Sequence, residues 1–468
     1  MKISELKNKK VTVMGIGLHG GSVQLIKWLL EKGAIVTATD IKNKEKLKTS
    51  IDEIGDHKNL KIVADQHRPE DFQKAELVIK NPTVPWKNKY IQMAVKKNIP
   101  IEMDSSLFFQ FCQSDKIIGI TGTKGKTTVS SLMVDILKNA GEKVVSVGVG
   151  KEPVMSKLKK IDENTYVVFE LSSWRLSGID QIKKSPKVAV VTNIYPDHLN
   201  HYSSMEKYIE DKKAIFKHQK EEDSLILNWD NEITREFAEE AISQKIFFSI
   251  NKADEPISVF INEGEIVYRN DDGEEKIILD IKKIRLRGAH NISNALTAIT
   301  VGISLGIDIA VIKSVVEKFP GVKHRLEYVG KINEKFFYND TTATTPDSAI
   351  AGVNSFWKPI ILICGGAEKK LDLSEFAKKI ATAKSVKKII LLKGEATEKL
   401  KSMIEENGGI EKIVDVYDNI EEAVQKSDEV SEKGEVVLLS PGCASFGMFE
   451  NEFDRGRKFK RAVEVLRN

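Results

Sequence analysis

The stretch GITGTKGKTTVSS, residues 119–131, has the residue types of a phosphate-binding loop in an unusual spacing. Ile120 stands where the general Walker pattern has its first glycine, and Gly122 lies only three residues before Gly125. Backbone amides at the start of the following helix can still converge on phosphate oxygens, and Lys126 adds a positive charge. The residues that we expect to contact the nucleotide here are Gly122, Thr123, Lys124, Gly125, Lys126, Thr127 and Thr128.

Oxygen and nitrogen ligands for a metal follow the neighbouring strands. Thr127 can offer its hydroxyl to Mg²⁺, and Glu170 ends the apolar run YVVFE. His198 follows another apolar run, VAVVTN, so it should reach the same edge of a parallel sheet. His198 and His201 could also be read as a zinc pair, but no third ligand stands out. The pattern favours magnesium.

A second glycine motif lies near the N-terminus. Gly15, Gly17 and Gly20 form a GxGxxG pattern, and Asp40 closes the next predicted strand twenty residues later. This pattern is typical of dinucleotide binding and suggests a nicotinamide dehydrogenase. The glycines could instead serve only tight packing, or they could bind the diphosphate of a nucleotide-linked substrate, because the loop recognises phosphates and not the molecule that carries them.

Strands rich in Val and Ile alternate with segments of helical period along the chain. This alternation predicts an α/β fold of parallel sheets with crossover helices. A length of 468 residues suggests about three domains. We place them at 1–113, 114–319 and 320–468, since breaks occur near Gln113 to Lys116 and at FPGVK, residues 319–323. The polar, alternating stretch from Asp254 to Leu279 predicts a small antiparallel hairpin inside the middle domain.

Composition excludes several classes of protein. The 72 Lys plus Arg nearly balance 68 Asp plus Glu, which argues against a nucleic-acid partner. Cys112, Cys364 and Cys443 are far apart and form no CxxC pair, as expected for a reducing cytoplasm. The N-terminus has no signal-peptide core, and no run approaches the length of a membrane helix. We therefore expect a cytoplasmic protein without membrane association.

Several motifs in order along the whole chain resemble the Mur ligases of peptidoglycan synthesis. They are GITGTKGKTT, FELSSW, TNIYPDHLNHY, GAHNISNA, KHRLE and LLSPGCASFGMFENEFDRG. The resemblance implies a Rossmann-like N-terminal domain for a UDP-sugar, a central P-loop ATPase-type domain, and a Rossmann-like C-terminal domain for an amino acid. It is strongest to the members that add D-glutamate to UDP-N-acetylmuramoyl-L-alanine with ATP, through an acyl phosphate. A monomer with small-molecule substrates is expected.

The resemblance also implies roles for individual residues. Lys126, Glu170, His198 and Lys212 would be catalytic, with two Mg²⁺ ions held by Thr127, Glu170, His198 and a carbamylated Lys212, for which Lys213 is a rival. The UDP-substrate would meet Gly17, Leu18, His19, Asp40 and Ser173. The nucleotide would further meet Asn291, Asn294, Arg325 and Asp340, and the incoming amino acid would meet Thr344, Lys369, Ser445 and Phe449.

Four positions depart from the family pattern. Lys124 replaces a common Asn, Thr342 replaces a common Lys, the stretch VGVGKEP lacks an expected Asn, and Glu452 occupies an aromatic position beside Phe453. These departures leave open another amino acid or another UDP-sugar. A dehydrogenase has no use for the phosphate loop or Glu170, whereas a regulator without catalysis would be expected to lose Lys126, Glu170 or His198.

Overall fold

The computed structural model describes residues 1–17, 21–149, 153–197, 202–252, 258–369 and 371–467. The chain divides into two compact units, Met1–Ile281 with Ser293–Val316, and Lys282–Ile292 with Glu317–Asn468. The first unit contains a five-stranded and a nine-stranded sheet, and the second contains a six-stranded sheet. The predicted α/β class, with three domains built on largely parallel sheets, is confirmed. No helix in the described ranges is long and apolar enough to cross a bilayer.

The N-terminal sheet is parallel throughout and has the strand order β3-β2-β1-β4-β5. Its strands are β1 Lys10–Met14, β2 Ile35–Thr39, β3 Leu60–Val63, β4 Leu77–Lys80 and β5 Ile101–Glu102. Its helices are α1 Gly21–Glu31, α2 Lys44–Ile54, α3 Pro69–Gln73, α4 Lys89–Val95 and α5 Asp104–Phe111. The chain order reverses at β1, so the carboxyl ends of β1 and β4 border a crevice of the kind where such sheets bind ligands.

The central sheet has the order β14-β13-β12-β11-β10-β9-β6-β8-β7. Its first six strands are β6 Ile117–Thr121, β7 Val144–Val147, β8 Tyr166–Glu170, β9 Val188–Val191, β10 Ser224–Asn228 and β11 Gln244–Ser249. The helices of this region are α6 Lys126–Asn139, α7 Ser173–Gln181, α8 Met205–Lys213, α9 Glu232–Glu240, α10 Ala289–Ser304 and α11 Ile309–Lys318. All five residues of β6 are buried because neighbouring strands and helices cover both faces, which explains its continuous apolar run.

An antiparallel extension continues the central sheet. Its strands are β12 Ser258–Asn262, β13 Glu265–Arg269 and β14 Glu275–Asp280. β12 pairs in parallel with β11, and β13 and β14 then follow in antiparallel pairing. The predicted hairpin is therefore a three-stranded meander that shares the main sheet. The start of the predicted stretch, at Asp254, lies outside the described residues.

The C-terminal sheet has the order β15-β16-β20-β17-β18-β19, and only β15 runs antiparallel to its neighbour. Its strands are β15 Glu327–Ile332, β16 Lys335–Asn339, β17 Ile360–Cys364, β18 Val386–Leu392, β19 Ile413–Tyr417 and β20 Val436–Leu439. Its helices are α12 Pro346–Val353, α13 Ser374–Thr382, α14 Thr397–Glu406, α15 Ile420–Val430 and α16 Glu452–Val465. Short 3₁₀ helices elsewhere span Ile3–Leu6, Met155–Lys160, Ile281–Lys283 and Ile410–Lys412.

Candidate active site

The glycines of the phosphate loop allow close approach of neighbouring segments. Gly122 has φ +144°, and a Cβ there would lie 1.9 Å from Oγ1 of Thr192. Gly125 has φ +89°, and a Cβ there would lie 2.2 Å from Oδ1 of Asn294. The loop is therefore wedged between the carboxyl end of β9 and α10, which explains why glycine is needed at these two positions. The structure also places Asn294, a predicted nucleotide residue, beside the loop.

The segment after β9 holds the loop in shape. The Thr192 hydroxyl donates to the carbonyl of Lys124 at 2.6 Å, and the Lys124 amide donates to Oδ1 of Asn193 at 2.9 Å. The Thr123 amide donates to the Asn193 carbonyl at 2.8 Å. Thr192 and Asn193 are not among the predicted site residues, although their position directly after an apolar strand is a usable signal. The Lys124 ammonium lies 3.7 Å from Oδ2 of Asp197, which gives this additional cation a carboxylate partner.

Two lysine side chains converge on one carbonyl oxygen of the loop. Nζ of Lys126 lies 2.8 Å and Nζ of Lys212 lies 2.9 Å from the oxygen of Gly122. Lys212 is 1% exposed, and its Nζ also lies 3.3 Å from Oγ1 of Thr121. Burial lowers the pKa of Lys212 well below its ordinary value, and the positive charge of Lys126 lowers it further. The environment of Lys212 therefore favours the neutral amine.

Helix α8 presents Lys212 to the loop through its periodicity. Tyr208 lies one turn before Lys212, and its hydroxyl is 3.0 Å from Oγ1 of Thr123. Lys213 points elsewhere, because its ammonium pairs with the Glu240 carboxylate of α9. Of the two adjacent lysines, Lys212 is thus the one that the structure brings to the phosphate loop.

Glu170 reaches the same edge of the central sheet from β8. It is the last residue of that strand and pairs with Ile120 of β6. Its Oε2 atom is buried and has no hydrogen-bond partner in the part of the chain that the structure describes. Thr127 lies in the first turn of α6 and is partly buried. His198, predicted as catalytic and as a metal ligand, lies outside the described residues.

The glycine motif of the N-terminal sheet is fastened by Asp40. One carboxylate oxygen accepts the Gly17 amide at 3.0 Å, and the other accepts the Lys42 amide at 3.0 Å. Asp40 is 3% exposed. Its carboxylate shapes the loop by accepting these two backbone amides. Leu18 and His19, the predicted UDP-substrate residues beside it, lie outside the described residues. Ser173, the fifth residue predicted to meet this substrate, is the buried first residue of α7.

In the second unit, Asp340 follows β16 and lies beside Ser440, which follows β20. The Ser440 hydroxyl donates to Oδ2 of Asp340 at 2.9 Å, and the Leu326 amide lies 3.1 Å from Oδ1. Burial raises the pKa of Asp340 to about 7, although the Ser440 hydrogen bond opposes the shift. Arg325 is exposed. Asn291, in the first turn of α10, donates its amide to the Arg287 carbonyl at 2.9 Å.

The residues predicted for the amino acid occupy different environments. The Lys369 ammonium donates to Oγ1 of Thr344 at 2.8 Å, so these two residues are brought together. Ser445 is 4% exposed. Phe449 is 9% exposed and packs in the hydrophobic cluster of this sheet, which makes it a support and not an open contact surface. The Thr342 hydroxyl donates to the His324 carbonyl at 2.9 Å.

Arg455, which is not among the predicted site residues, connects two loops of the second unit. It is 0% exposed, and its Nε donates to Oγ1 of Thr341 at 3.0 Å. Another guanidinium nitrogen donates to the carbonyl of Ala444 at 3.2 Å. Burial lowers its pKa to about 10. Arg455 thereby holds the segment before Thr344 against the segment before Ser445, and its place in the motif FDRG was the available signal.

Comparisons with known families match most of the chain in three parts. Residues 9–102 match the Mur ligase MurD-like N-terminal domain, residues 120–302 match the Mur ligase middle domain, and residues 324–443 match the Mur ligase glutamate ligase domain. A UDP-N-acetylmuramoylalanine–D-glutamate ligase of Roseiflexus sp. is 38% identical, over 98% of this chain and 99% of the relative. The ligase of the same name from Clostridioides difficile is 36% identical, over 99% of this chain and 100% of the relative.

Solved structures show the same fold at lower identity. The UDP-N-acetylmuramate-alanine ligase MurC from Thermotoga maritima superposes with a TM-score of 0.61 at 20% identity, covering 98% of this chain and 99% of that chain. The MurF ligase from the same organism, solved in complex with ADP, has a TM-score of 0.58 at 16% identity and covers 99% of this chain and 97% of that chain.

Proposed function

The chain belongs to the Mur ligase family, and we propose that it uses ATP to join D-glutamate to UDP-N-acetylmuramoyl-L-alanine. Two bacterial relatives, each of which matches this chain over nearly its full length, are named for this reaction. The observation that carries the proposal is the convergence of Lys126 and Lys212 on the Gly122 carbonyl, at the sheet edge where Glu170 also ends its strand. That edge has the cation, Lys126, and the carboxylate that an ATP-dependent ligase needs.

The reaction requires activation of a carboxylate. An oxygen of the alanyl carboxylate attacks the γ-phosphorus of ATP, ADP leaves, and an acyl phosphate forms. The amine of D-glutamate then attacks the acyl carbon, the nitrogen loses its proton, and phosphate leaves with the electrons of the broken C–O bond. Two anions meet in the first step, so alignment and positive charge must supply most of the catalysis.

The phosphate loop supplies both of these. Its backbone amides and the first turn of α6 favour the phosphate groups of ATP, because the positive end of the helix dipole points at them. Lys126 is held by the Gly122 carbonyl at 2.8 Å and the Thr123 carbonyl at 3.0 Å, which places its charge over the loop. Asn294 beside Gly125 restricts the space next to the nucleotide.

The residues at this edge fit Mg²⁺. The buried Oε2 of Glu170 has no partner among the described residues, which is the state expected of a carboxylate that ligates a cation. Thr127 and Glu170 would hold one ion, and His198 with a modified Lys212 would hold a second. When bound, Mg²⁺ would offset the negative charge of the phosphates and the approaching carboxylate. Within the described ranges, no group of three or more His, Cys, Asp or Glu side chains is placed to hold a metal ion.

Lys212 is the residue that we propose to be carbamylated. A lysine attacks CO₂ only as the neutral amine, and burial together with the nearby Lys126 favours that form. Carbamylation would convert this amine into a carboxylate-like group near the Lys126 ammonium. Opposite charges would then face one another in a buried site.

The second unit would bind the amino acid. The paired Lys369 and Thr344 offer a cation and a hydroxyl, which suit a second carboxylate such as that of glutamate. The Thr342 hydroxyl donates to the His324 carbonyl. Thr342 therefore does not supply the positive charge of the lysine that the family commonly has at this position. We therefore propose residues 1–113, 114–319 and 320–468 as the UDP-substrate, ATP and amino-acid domains, with D-glutamate as the incoming amino acid.

The test measures phosphate release from ATP with UDP-N-acetylmuramoyl-L-alanine and a panel of D- and L-amino acids. We expect release that requires both the acceptor and D-glutamate, with a product larger by one glutamyl residue in mass spectrometry. Release with another amino acid only would replace D-glutamate and keep the ligase. Absence of ATP turnover with every acceptor in the panel would contradict the ligase itself.

A further inference from the structure

Helix α7 begins three residues after Glu170, the last residue of β8. The position of the helix is therefore linked to the position of the end of β8. Ser172 is the N-cap of α7, and its side chain accepts the Arg175 amide at 3.3 Å. This hydrogen bond satisfies one of the free amides at the helix start and fixes the turn between strand and helix. Any group that holds the first turns of α7 therefore also restrains the carboxyl end of β8.

Segments of the N-terminal sheet domain hold those turns. The Trp86 indole donates to Oγ of Ser177 at 3.1 Å, and the Ser105 hydroxyl donates to the Arg175 carbonyl at 2.9 Å. The helix packs closely at Gly178, where a Cβ would lie 2.9 Å from Sδ of Met103. The start of α5 and the loop before α4, both in the N-terminal sheet domain, are thus in direct contact with the helix that follows Glu170.

Arg175 connects three chain segments at this contact. One guanidinium nitrogen donates to Oδ2 of Asp104, at the start of α5, at 3.0 Å. Another donates to the carbonyl of Gly148, just after β7, at 3.3 Å. The side chains of Arg175 and Asp104 are 18% and 16% exposed, so solvent screens their attraction only weakly. The Nε atom is buried and has no acceptor among the residues that the structure describes.

Gly148 brings the loop after β7 against the end of β8. It has φ +78°, and a Cβ there would lie 2.6 Å from the carbonyl oxygen of Glu170. A larger residue would push the loop away, and the hydrogen bond from Arg175 holds it in place. Arg175 therefore supports three neighbouring parts of the chain, which are the first part of the loop after β7, Glu170 and α7.

We propose that Arg175 is a positioning residue for the UDP-linked acceptor, because it fastens the start of α5 in the N-terminal sheet domain to the loop and the helix that flank Glu170. This inference rests on the proposed function. An acceptor that spans the N-terminal sheet domain and the Glu170 edge carries its UDP group at one and its reacting carboxylate at the other. Its binding therefore depends on how the two are held relative to each other, whereas ATP binding at the phosphate loop does not.

The experiment compares Arg175→Gln, Asp104→Asn and the double variant in steady-state ligase assays. We expect the KM for the UDP-linked acceptor to rise about tenfold in each single variant, with the KM for ATP unchanged. Because the two side chains act through one hydrogen-bonded pair, the double variant should be no worse than Arg175→Gln. Arg175→Lys keeps a cation for Asp104 and loses the forked geometry, so its KM should be intermediate.

Lys143→Gln serves as a matched control, since Lys143 pairs with Asp162 at the surface of the same unit and its removal should leave both KM values unchanged. An acceptor KM that stays at the wild-type value in Arg175→Gln, or an ATP KM that rises in the same proportion, would overturn the inference. Titration calorimetry with UDP-N-acetylmuramoyl-L-alanine alone should show the same loss of affinity without turnover. Wild-type protein that neither binds this acceptor nor turns over ATP contradicts the proposed function, whereas an active wild type with an unaffected Arg175→Gln contradicts only the positioning role.

Discussion

Lys126 and Lys212 donate to the same carbonyl oxygen, that of Gly122, at 2.8 and 2.9 Å. They come from different helices, α6 and α8, and lie 86 positions apart in the sequence. Two ammonium groups this close repel each other, and burial adds to the cost of charging Lys212. The pair therefore distinguishes Lys126, whose positive charge acts on its neighbour, from Lys212, a lysine suited to modification.

Substitution Lys212→Ala should reduce phosphate release by about a hundredfold or more, as expected when a charged group in a closed site is lost. Added acetate or formate should restore part of the activity, because a free carboxylate can replace the carbamate. Lys213→Ala is the control, and it should retain nearly full activity because Lys213 pairs with Glu240 of α9 and not with the phosphate loop. A strong loss in Lys213→Ala with an unaffected Lys212→Ala would reverse the assignment.

Substitution Lys126→Ala should lower kcat for ATP turnover by about a hundredfold or more with little change in the melting temperature. Its ammonium bonds carbonyls of the phosphate loop and fills no core space. Lys124→Ala removes a neighbouring cation. The Lys124 ammonium pairs with the Asp197 carboxylate, and the Lys124 side chain is half-exposed. The loss in kcat should therefore be less than about threefold. Equal losses in the two variants would show that charge near the loop matters and that the position of Lys126 does not.

Substitution Gly122→Ala should abolish ATP binding, measured by titration calorimetry, because a methyl group would overlap Thr192 and the backbone has φ +144°. Gly141→Ala is a matched control, since it also has positive φ, at +83°, but nothing lies within 4 Å of an added Cβ. We expect Gly141→Ala to cost about 1 kcal/mol of stability and to keep nucleotide binding. ATP binding at wild-type affinity in Gly122→Ala would contradict the geometry of the loop.

Lys80 should make the stability of the first unit depend on pH. Burial lowers its pKa to about 7, although Asp211 and Asp104 oppose the shift. The unfolded chain, in which a lysine has a pKa of about 10.4, then binds more protons between these two values, so stability rises with pH through that window. Relative to Lys80→Met, the wild type should gain about 2 kcal/mol between about pH 7 and about pH 9 in urea unfolding. A difference independent of pH would show that Lys80 is charged throughout that range.

The elements that carry the site could be predicted because their signals are local. Strand β8 coincides with the apolar run YVVFE that ends at Glu170, since an apolar run buried in a sheet is visible in the sequence. The helix that the sequence predicts directly after the phosphate loop is α6, which begins at Lys126. The meander β12–β14 was foreseen only as a hairpin, because the pairing of its first strand with β11 depends on distant residues.

The sequence by itself determined the fold class, the two glycine motifs and the residue types at the strand ends, because each depends on neighbours within a few positions. Tertiary structure decided which lysine of α8 faces the loop and why Gly122 and Gly125 must be glycines. It also decided that Arg175 joins Asp104 to the Gly148 carbonyl. These relationships depend on close approach between segments far apart in the chain, and packing of the sheets sets that approach at a scale of tenths of an ångström that no local pattern encodes.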